Sequence, residues 1–242
     1  MLPYNKSLLI IPTYNEIDNI KKMLDTLHGL YPELSVLIID DGSPDGTADI
    51  VKDYQKNWPT LHLIQREGKL GLGTAYIAGF RFALEKAYEY IFEMDCDFSH
   101  DPNDIPTLLE AAQTNDLIIG SRYINGIRII NWPMRRLLLS YFAGVYTRII
   151  TGMTVLDATG GFKCFKRNAL ESLNLDKVFS NGYSFQIELN FKVWSKGLKV
   201  KEVPIVFTER RDGESKMSGG IVFEAVFAVI KLRLRKIFGI LH

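Results

Sequence analysis

Residues 7–47 read SLLIIPTYNEIDNIKKMLDTLHGLYPELSVLIIDDGSPDGT, and the order of patterns within them decides the class of fold. Ser7 to Ile11 is a short apolar run suited to a buried strand, and it ends at Pro12-Thr13-Tyr14-Asn15-Glu16. Behind Asn15, a residue suited to cap a helix, Ile17, Ile20, Met23, Leu24 and Leu27 recur at helical spacing. Ser35 to Ile39 is a second apolar run, ending in Asp40-Asp41-Gly42-Ser43-Pro44-Asp45-Gly46-Thr47, with Thr47 placed to cap the next helix. Strand, loop, helix, repeated, builds a parallel sheet with helices on its faces. Open sheets of that kind bind ligands at the carboxyl ends of their strands. The expectation is an α/β domain with Pro12, Asp40 and Asp41 on its working rim.

Outward from this stretch the pattern continues. Leu61 to Gln65 is a third run, followed by Gly68-Lys69-Leu70-Gly71-Leu72-Gly73-Thr74-Ala75-Tyr76 and a helix through Lys86. Gly71-x-Gly73 lacks the third glycine of a dinucleotide fingerprint and does not follow the first strand, so it reads instead as a glycine-rich helix start near a phosphate. The fourth run belongs to YIFEMDCDFSHDP, residues 90–102, and stops in Asp95, Cys96 and Asp97. On an extended chain residues i and i+2 share a side, and two carboxylates so placed repel each other unless a cation sits between them. Oxygen ligands suit Mg²⁺ or Mn²⁺ held jointly with substrate phosphates. The plain alternative is a solvated loop with helix-capping acids. Asp116 to Gly120 is the fifth run, and Ser121-Arg122-Tyr123 after it brings a cation to the same rim.

The chain has 242 residues, 47% of them hydrophobic, enough for one substantial core in a single domain with an extension. Its net charge of +1 advertises no nucleic-acid partner. Cys96 and Cys164 form neither a disulfide framework nor a zinc spacing, which fits a reducing cytoplasm, and Met1 to Asn15 does not read as a signal peptide. Met134 to Thr151 has Arg135, Arg136 and Arg148 around a charge-free stretch too short to span a bilayer, so it is either a buried helix or an interfacial one. Gly161 to Phe165 and Val200 to Phe207 read as strands, with a helix from Phe185 to Ser195 between them. The tail from Ile221 to His242 sets Lys231, Arg233, Arg235 and Lys236 in an apolar helix, which lies on an anionic membrane surface or packs on protein.

Taken in order, PTYNE (12–16), DDGSPDGT (40–47), LGLGTAY (70–76), MDCDFSHDP (94–102), SRY (121–123) and GESKM (213–217) resemble one family. It is the family 2 glycosyltransferases of GT-A fold, specifically the dolichyl (polyprenyl) phosphate mannose synthases in their short, peripheral form without transmembrane helices. The resemblance runs from Ser7 to about Gly220. It implies a catalytic domain over 1–220, with an acceptor-side segment at about 124–156, and a basic amphipathic helix over 221–242. The implied reaction is inverting transfer of mannose from GDP-mannose to a polyprenyl phosphate, on the cytoplasmic face of a membrane, with a membrane-protein partner or a second copy as further company and no nucleic acid. Implied for the nucleotide sugar are Pro12, Tyr14, Glu16, Ile39, Asp41, Asp95, Cys96, Asp97, Arg122, Arg210 and Lys216. Mg²⁺ or Mn²⁺ falls to Asp95, Asp97 and Ser99, the donor diphosphate to Arg122, Arg210 and Lys216, and the acceptor phosphate to Arg136 and Ser140. Cys96 stands where the family usually has Ala, and Ser99 where some members carry Gln.

The residue inventory agrees with that chemistry. A phosphate monoester, with its second pKa at about 6, is largely dianionic at neutral pH and needs no strong base to attack a sugar. Asp157, Gln186 and Glu188 are candidates for orienting sugar or acceptor, with structural hydrogen bonding as their other reading. His100, beside Asp101, is open to a supporting role behind the carboxylates or to none. Thr208 to Gly220 reads as a lid over the diphosphate. Rival functions are transfer from UDP-glucose or another UDP-sugar, and a catalytically silent subunit that binds nucleotide and recruits a membrane partner.

Overall fold

Strand β1 (Ser7–Thr13) lies inside the sheet, parallel to β2 (Ser35–Asp40), which in turn pairs in parallel with β3 (Leu61–Gln65). Each is followed by a helix: α1 (Ile17–Leu30), α2 (Thr47–Gln55) and α3 (Leu72–Glu85). The structure is a computed structural model and describes residues 2–180, 182–209 and 219–240. On the other side of β1 runs β4 (Tyr90–Glu93), again parallel. The chain continues through α4 (Ile105–Ala112), β5 (Leu117–Ser121), the two-residue β6 (Ile129–Ile130) and α5 (Met134–Thr151). It then forms β7 (Lys163–Lys166), α6 (Arg167–Glu171), α7 (Gly182–Ser195), β8 (Val200–Pro204), β9 (Phe207–Thr208) and α8 (Gly219–Ile237).

The main sheet has seven strands in the order β3-β2-β1-β4-β7-β5-β8, and β6 pairs with β9 in a small second sheet. One strand departs from the expected parallel arrangement. β7 is antiparallel to both β4 and β5, with Lys163 opposite Glu93 and Lys166 opposite Tyr90. The reason is geometric: β5 delivers the chain to the carboxyl-end rim, α5 keeps it there, and the next strand can only enter the sheet from that rim downward. The expected single strand from Val200 to Phe207 also divides. β8 ends at Pro204, which has no N–H for a ladder, and Phe207 pairs with Ile129 in the small sheet instead.

Alternating strand residues serve two helical layers. Leu9, Ile11, Val36, Ile38 and Phe92 pack with Ile20, Met23, Leu24 and Leu27 of α1 and Leu108 and Leu109 of α4. Leu8, Ile10, Leu37, Ile39 and Ile91 pack with Tyr76 and Phe80 of α3 and with buried residues of α7 and α8. Gly79 allows α3 this close approach, since a Cβ there would lie 2.8 Å from the Ile10 side chain.

Two helix starts differ from expectation. Asn15 has φ 57° and does not cap α1; its backbone N–H donates to Ser43 Oγ (3.0 Å). Glu16 N donates to Thr47 Oγ1 (3.0 Å) and Ile17 N to Asp45 Oδ2 (3.1 Å), so the loop after β2 caps the helix after β1. Thr47 is the first residue of α2 rather than its cap, and its N–H is met by Asp45 Oδ1 at 3.0 Å. Burial pushes the Asp45 carboxyl up, but the hydrogen bonds from Thr47 and Ile17 outweigh it and hold the pKa below the ordinary carboxylate value.

Helix α8 packs against α7 and α5, with Val229 and Leu232 buried. Its cations are engaged: Lys231 and Arg235 lie 4.1 and 4.3 Å from the Phe179 ring centroid, and Lys236 lies 4.2 Å from that of Trp194. The tail helix therefore packs on the domain. Helix α5 turns Gly144, Thr147 and Thr151 inward but leaves Phe142 60% and Ile149 74% exposed. It is not a buried helix. Among the described residues, no helix is long and apolar enough to cross a membrane.

Candidate active site

A cavity of about 560 Å³ opens at the carboxyl ends of the strands. Its wall takes Pro12, Tyr14 and Glu16 from the end of β1 and the turn after it, Asp41 from after β2, Gly71 and Leu72 from the start of α3, and Asp95, Cys96 and Asp97 from after β4. Arg122 enters from after β5, Arg136 and Ser140 from α5, and Gly182, Gln186 and Ile187 from α7. Thus the residues singled out in sequence at strand ends, far apart along the chain, do line one space. Asp40 and Ile39 do not: the Asp40 carboxylate is buried and taken up by Thr13 and Ser43, and Ile39 faces away. Ile39 is fully buried in the core against α3 and does not reach the cavity, because it is a strand residue on the α3 face. Arg210, Lys216 and the lid proposed for Thr208 to Gly220, apart from its ends, lie outside the described residues.

The carboxylate pair sits past the end of β4, on chain that bends: Phe98 has φ 57°, and Ser99 N donates to Asp97 Oδ1 at 3.0 Å. Ser99 is buried, and its Oγ has no hydrogen-bond partner. Among the described residues no three His, Cys, Asp or Glu side chains come together as metal ligands. Asp95, Asp97 and the unpartnered Ser99 hydroxyl still make a hard, oxygen-only donor set that fits a divalent cation completed by phosphate oxygens. Cys96 is buried between the carboxylates in sequence, and burial pushes its thiol pKa well up.

Behind the pair stands His100. Its Nδ1 accepts from Asp95 N at 3.4 Å, and the ring packs against Phe162 and Phe207 at 5.3 and 5.4 Å between centroids. Burial pushes its pKa down to about 4, so the ring is neutral at pH 7. A loop position next to Asp101 gave no sign of this burial.

Arg122 and Arg136 each have a carboxylate partner. Arg122 donates through Nε to Asp157 Oδ2 (2.7 Å) and through Nη2 to Asp157 Oδ1 (2.6 Å), while Asp157 N and Leu156 N donate to the Glu202 carboxylate at 2.8 and 2.7 Å. Asp157 is therefore the anchor of Arg122. Arg136 is bonded to Glu209 and stacks on Trp132 with 4.1 Å to the ring centroid, and Ser140 Oγ accepts from Tyr123 OH at 2.7 Å. Beside Asp41, Arg66, which the sequence gave no reason to choose, donates through Nε to Asp41 Oδ1 at 2.6 Å and through Nη1 to Thr74 Oγ1 at 2.7 Å. It ties the loop after β2 to the start of α3. Glu188 is consumed by structure: its carboxylate accepts from Ser180 N (3.0 Å) and pairs with Lys192 (2.8 Å), wholly buried.

A parallel-rich sheet with a reversed strand, a rim carboxylate pair and a cavity shared with an amphipathic helix is the GT-A arrangement of sugar-transferring enzymes. The chain belongs to glycosyl transferase family 2, which it matches over residues 8–173. It is 46% identical to an undecaprenyl-phosphate mannosyltransferase of Micrococcus luteus, over 93% of this chain and 92% of that one. It is also 43% identical to a polyprenol monophosphomannose synthase of Mycolicibacterium smegmatis, over 96% and 89%. Among solved structures, glucosyl-3-phosphoglycerate synthase from Mycobacterium tuberculosis, in complex with Mn²⁺, uridine-diphosphate-glucose and phosphoglyceric acid, superposes with a TM-score of 0.71 at 18% identity, covering 94% of this chain and 79% of that one. That likeness establishes the fold.

Proposed function

We propose that this protein transfers mannose from GDP-mannose to the phosphate of a polyprenyl lipid at a membrane surface, with inversion at the anomeric carbon. The mannosyl and polyprenyl parts rest on the two relatives above. The observation that carries the reading is the mixed wall of one cavity. The strand ends contribute Tyr14, Glu16, Asp41 and the Asp95 and Asp97 carboxylates, and α5 and α8 contribute Arg136 with the apolar Leu139, Phe142, Ala143, Val226 and Val229. A polar donor and a lipid acceptor can be accommodated by such a wall together.

In this mechanism Asp95 and Asp97, with Ser99, hold a divalent cation, Mg²⁺ or Mn²⁺, which when bound neutralises charge on the departing diphosphate. Arg136 exchanges the Glu209 carboxylate for the acceptor phosphate, one oxyanion for another, with Ser140 beside it. The phosphate is its own nucleophile, and the neutral His100, held against Asp95, keeps the carboxylate loop in place rather than serving as a base. Arg122, fixed by Asp157 and close to the rings of Trp132 and Phe207, lines the cavity, where it would face the donor diphosphate. Arg210 and Lys216 then complete the diphosphate's cations.

The exposed apolar residues of α5 and α8 support peripheral attachment to the cytoplasmic face of a membrane. Phe142 and Ile149 on α5, Ile237 at the end of α8 and Phe238 just after it are exposed, with Arg135 and Arg148 near the α5 residues in sequence. The test of the donor is a calorimetric titration of GDP and UDP, each with Mg²⁺, with Mn²⁺ and with chelator. Tight, metal-dependent GDP binding with weak UDP binding is expected, and the reverse preference would overturn the GDP-mannose assignment.

A further inference from the structure

Trp132 stands between β6 and α5, after Asn131, which turns the chain at φ 66°, and before Pro133 at the head of α5. It belongs to the cavity wall, and the Arg136 guanidinium lies over its ring. Phe207 of β9 packs edge-on against the same indole, with 5.3 Å between centroids. Three polar atoms of this cluster are buried and, among the described residues, have no hydrogen-bond partner: Trp132 Nε1, Arg136 Nε and Glu209 Oε2. Arg136 and Glu209 are therefore a poor match, joined through one nitrogen and one oxygen, with a donor and an acceptor left over. A buried donor without an acceptor is uncommon in a folded protein, and two of them on neighbouring residues of one cavity point to an acceptor supplied from outside.

Arg136 needs support of a particular kind. Once the acceptor phosphate takes the place of the Glu209 carboxylate, that carboxylate no longer holds the guanidinium in position. A ring face can, because it holds a guanidinium by its flat side and leaves the N–H donors in its plane for an oxyanion. Arg122 has no such need. Its guanidinium carbon is 5.3 Å from the same ring centroid, but Asp157 grips it through Nε and Nη2. Loss of the indole should therefore be felt at the acceptor rather than at the donor. A phosphate monoester, with three terminal oxygens, has enough of them to meet Arg136 Nη1 and Nε and Trp132 Nε1, whereas the Glu209 carboxylate meets only the first.

We propose that Trp132 is part of the acceptor-phosphate site, donating its indole N–H to a phosphate oxygen and seating Arg136 on its ring. This rests on the sugar-transfer reading above and names a further residue of its acceptor side. The test compares the wild type with Trp132→Phe, which keeps a ring under Arg136 without the N–H, and with Trp132→Leu, which removes both. Affinity for a short polyprenyl phosphate and for the corresponding alcohol is measured by calorimetry, and KM for the phosphate and for GDP-mannose by sugar transfer. Trp132→Phe is expected to raise KM for the polyprenyl phosphate about 10-fold and Trp132→Leu about 30- to 100-fold, while KM for GDP-mannose and affinity for the alcohol stay within about 2-fold of wild type. An unchanged acceptor KM in Trp132→Phe would overturn the proposal, as would parallel losses for phosphate, alcohol and GDP-mannose, the mark of a structural role. If Trp132→Leu does not fold, by circular dichroism, the Trp132→Phe comparison decides. Absence of sugar transfer by the wild type would instead defeat the transfer reading, and the proposal would then stand or fall on whether Trp132→Phe weakens binding of the phosphate without weakening that of the alcohol.

Discussion

Replacing Asp157 by Ala should destabilise this protein far more than its place in a loop suggests. The carboxylate is fully buried and accepts three hydrogen bonds from Arg122: from the backbone N at 2.9 Å, from Nε at 2.7 Å and from Nη2 at 2.6 Å. The Arg122 side chain is only 7% exposed, so the substitution strands a guanidinium in the interior without its carboxylate. Breaking one partner out of a buried pair costs about 3–5 kcal/mol, and in a domain of this size each kcal/mol moves Tm by about 2–4 °C, giving a fall of about 6–20 °C. Removing the stranded charge as well, in Arg122→Met with Asp157→Ala, should recover part of that loss. Thermal unfolding followed by circular dichroism measures both. An Asp157→Ala variant within about 2 °C of wild type, or a double variant whose loss is the sum of the two singles, would refute the reasoning.

Asp97→Asn should abolish transfer while leaving Tm near the wild-type value, because it removes a rim charge rather than a core contact; near-normal activity at saturating Mg²⁺ would sink the metal assignment. Gly79→Ala should destabilise by about 1–3 kcal/mol in urea titration, since its Cβ would press on Ile10 and Ile39 across the α3–sheet contact. Burial, then the neighbouring Asp101, push the Asp104 carboxyl up to about 6. The stability it contributes is full below its unfolded value and is lost as pH rises through about 6, so the urea midpoint of Asp104→Asn should gain on the wild type between pH 4 and pH 7; a constant difference would contradict the shift. Ile237→Glu with Phe238→Glu should release the protein from anionic liposomes in sedimentation, whereas cutting α8 away would also remove the buried Val229 and Leu232. Equal sedimentation would assign that face to a protein partner.

What could be read from sequence follows the range of the forces involved. The first three strands and their helices were legible because a buried strand and an amphipathic helix each write their period locally, and β3 begins and ends where its apolar run does. The direction of β7 was not legible, since it depends on where α5 leaves the chain rather than on any property of Lys163 to Lys166. The helix cap went to Asp45 and not Asn15 because the partner lies on the next loop, some thirty residues on. At the site, Asp95, Asp97 and Arg122 were found as chemistry-bearing residues at strand ends, and Arg136 through the family resemblance. The partners of Arg122, Arg136 and Asp41, which are Asp157, Glu209 and Arg66, and the burial of His100, come from distant parts of the chain, where no local spacing records them. Ile39 stood at a strand end but faces the core, the half of the alternation that cannot reach a ligand.

The central claim is tested most directly by incubating the protein with Mg²⁺, a short polyprenyl phosphate and a panel of nucleotide sugars, and identifying the extracted lipid by mass. The account predicts a lipid carrying one hexose on its phosphate with GDP-mannose as donor, none from the UDP-sugars, and none from the Asp97→Asn variant. Hexose transfer from a UDP-sugar alone, or binding of GDP with no lipid product from any donor, would contradict it.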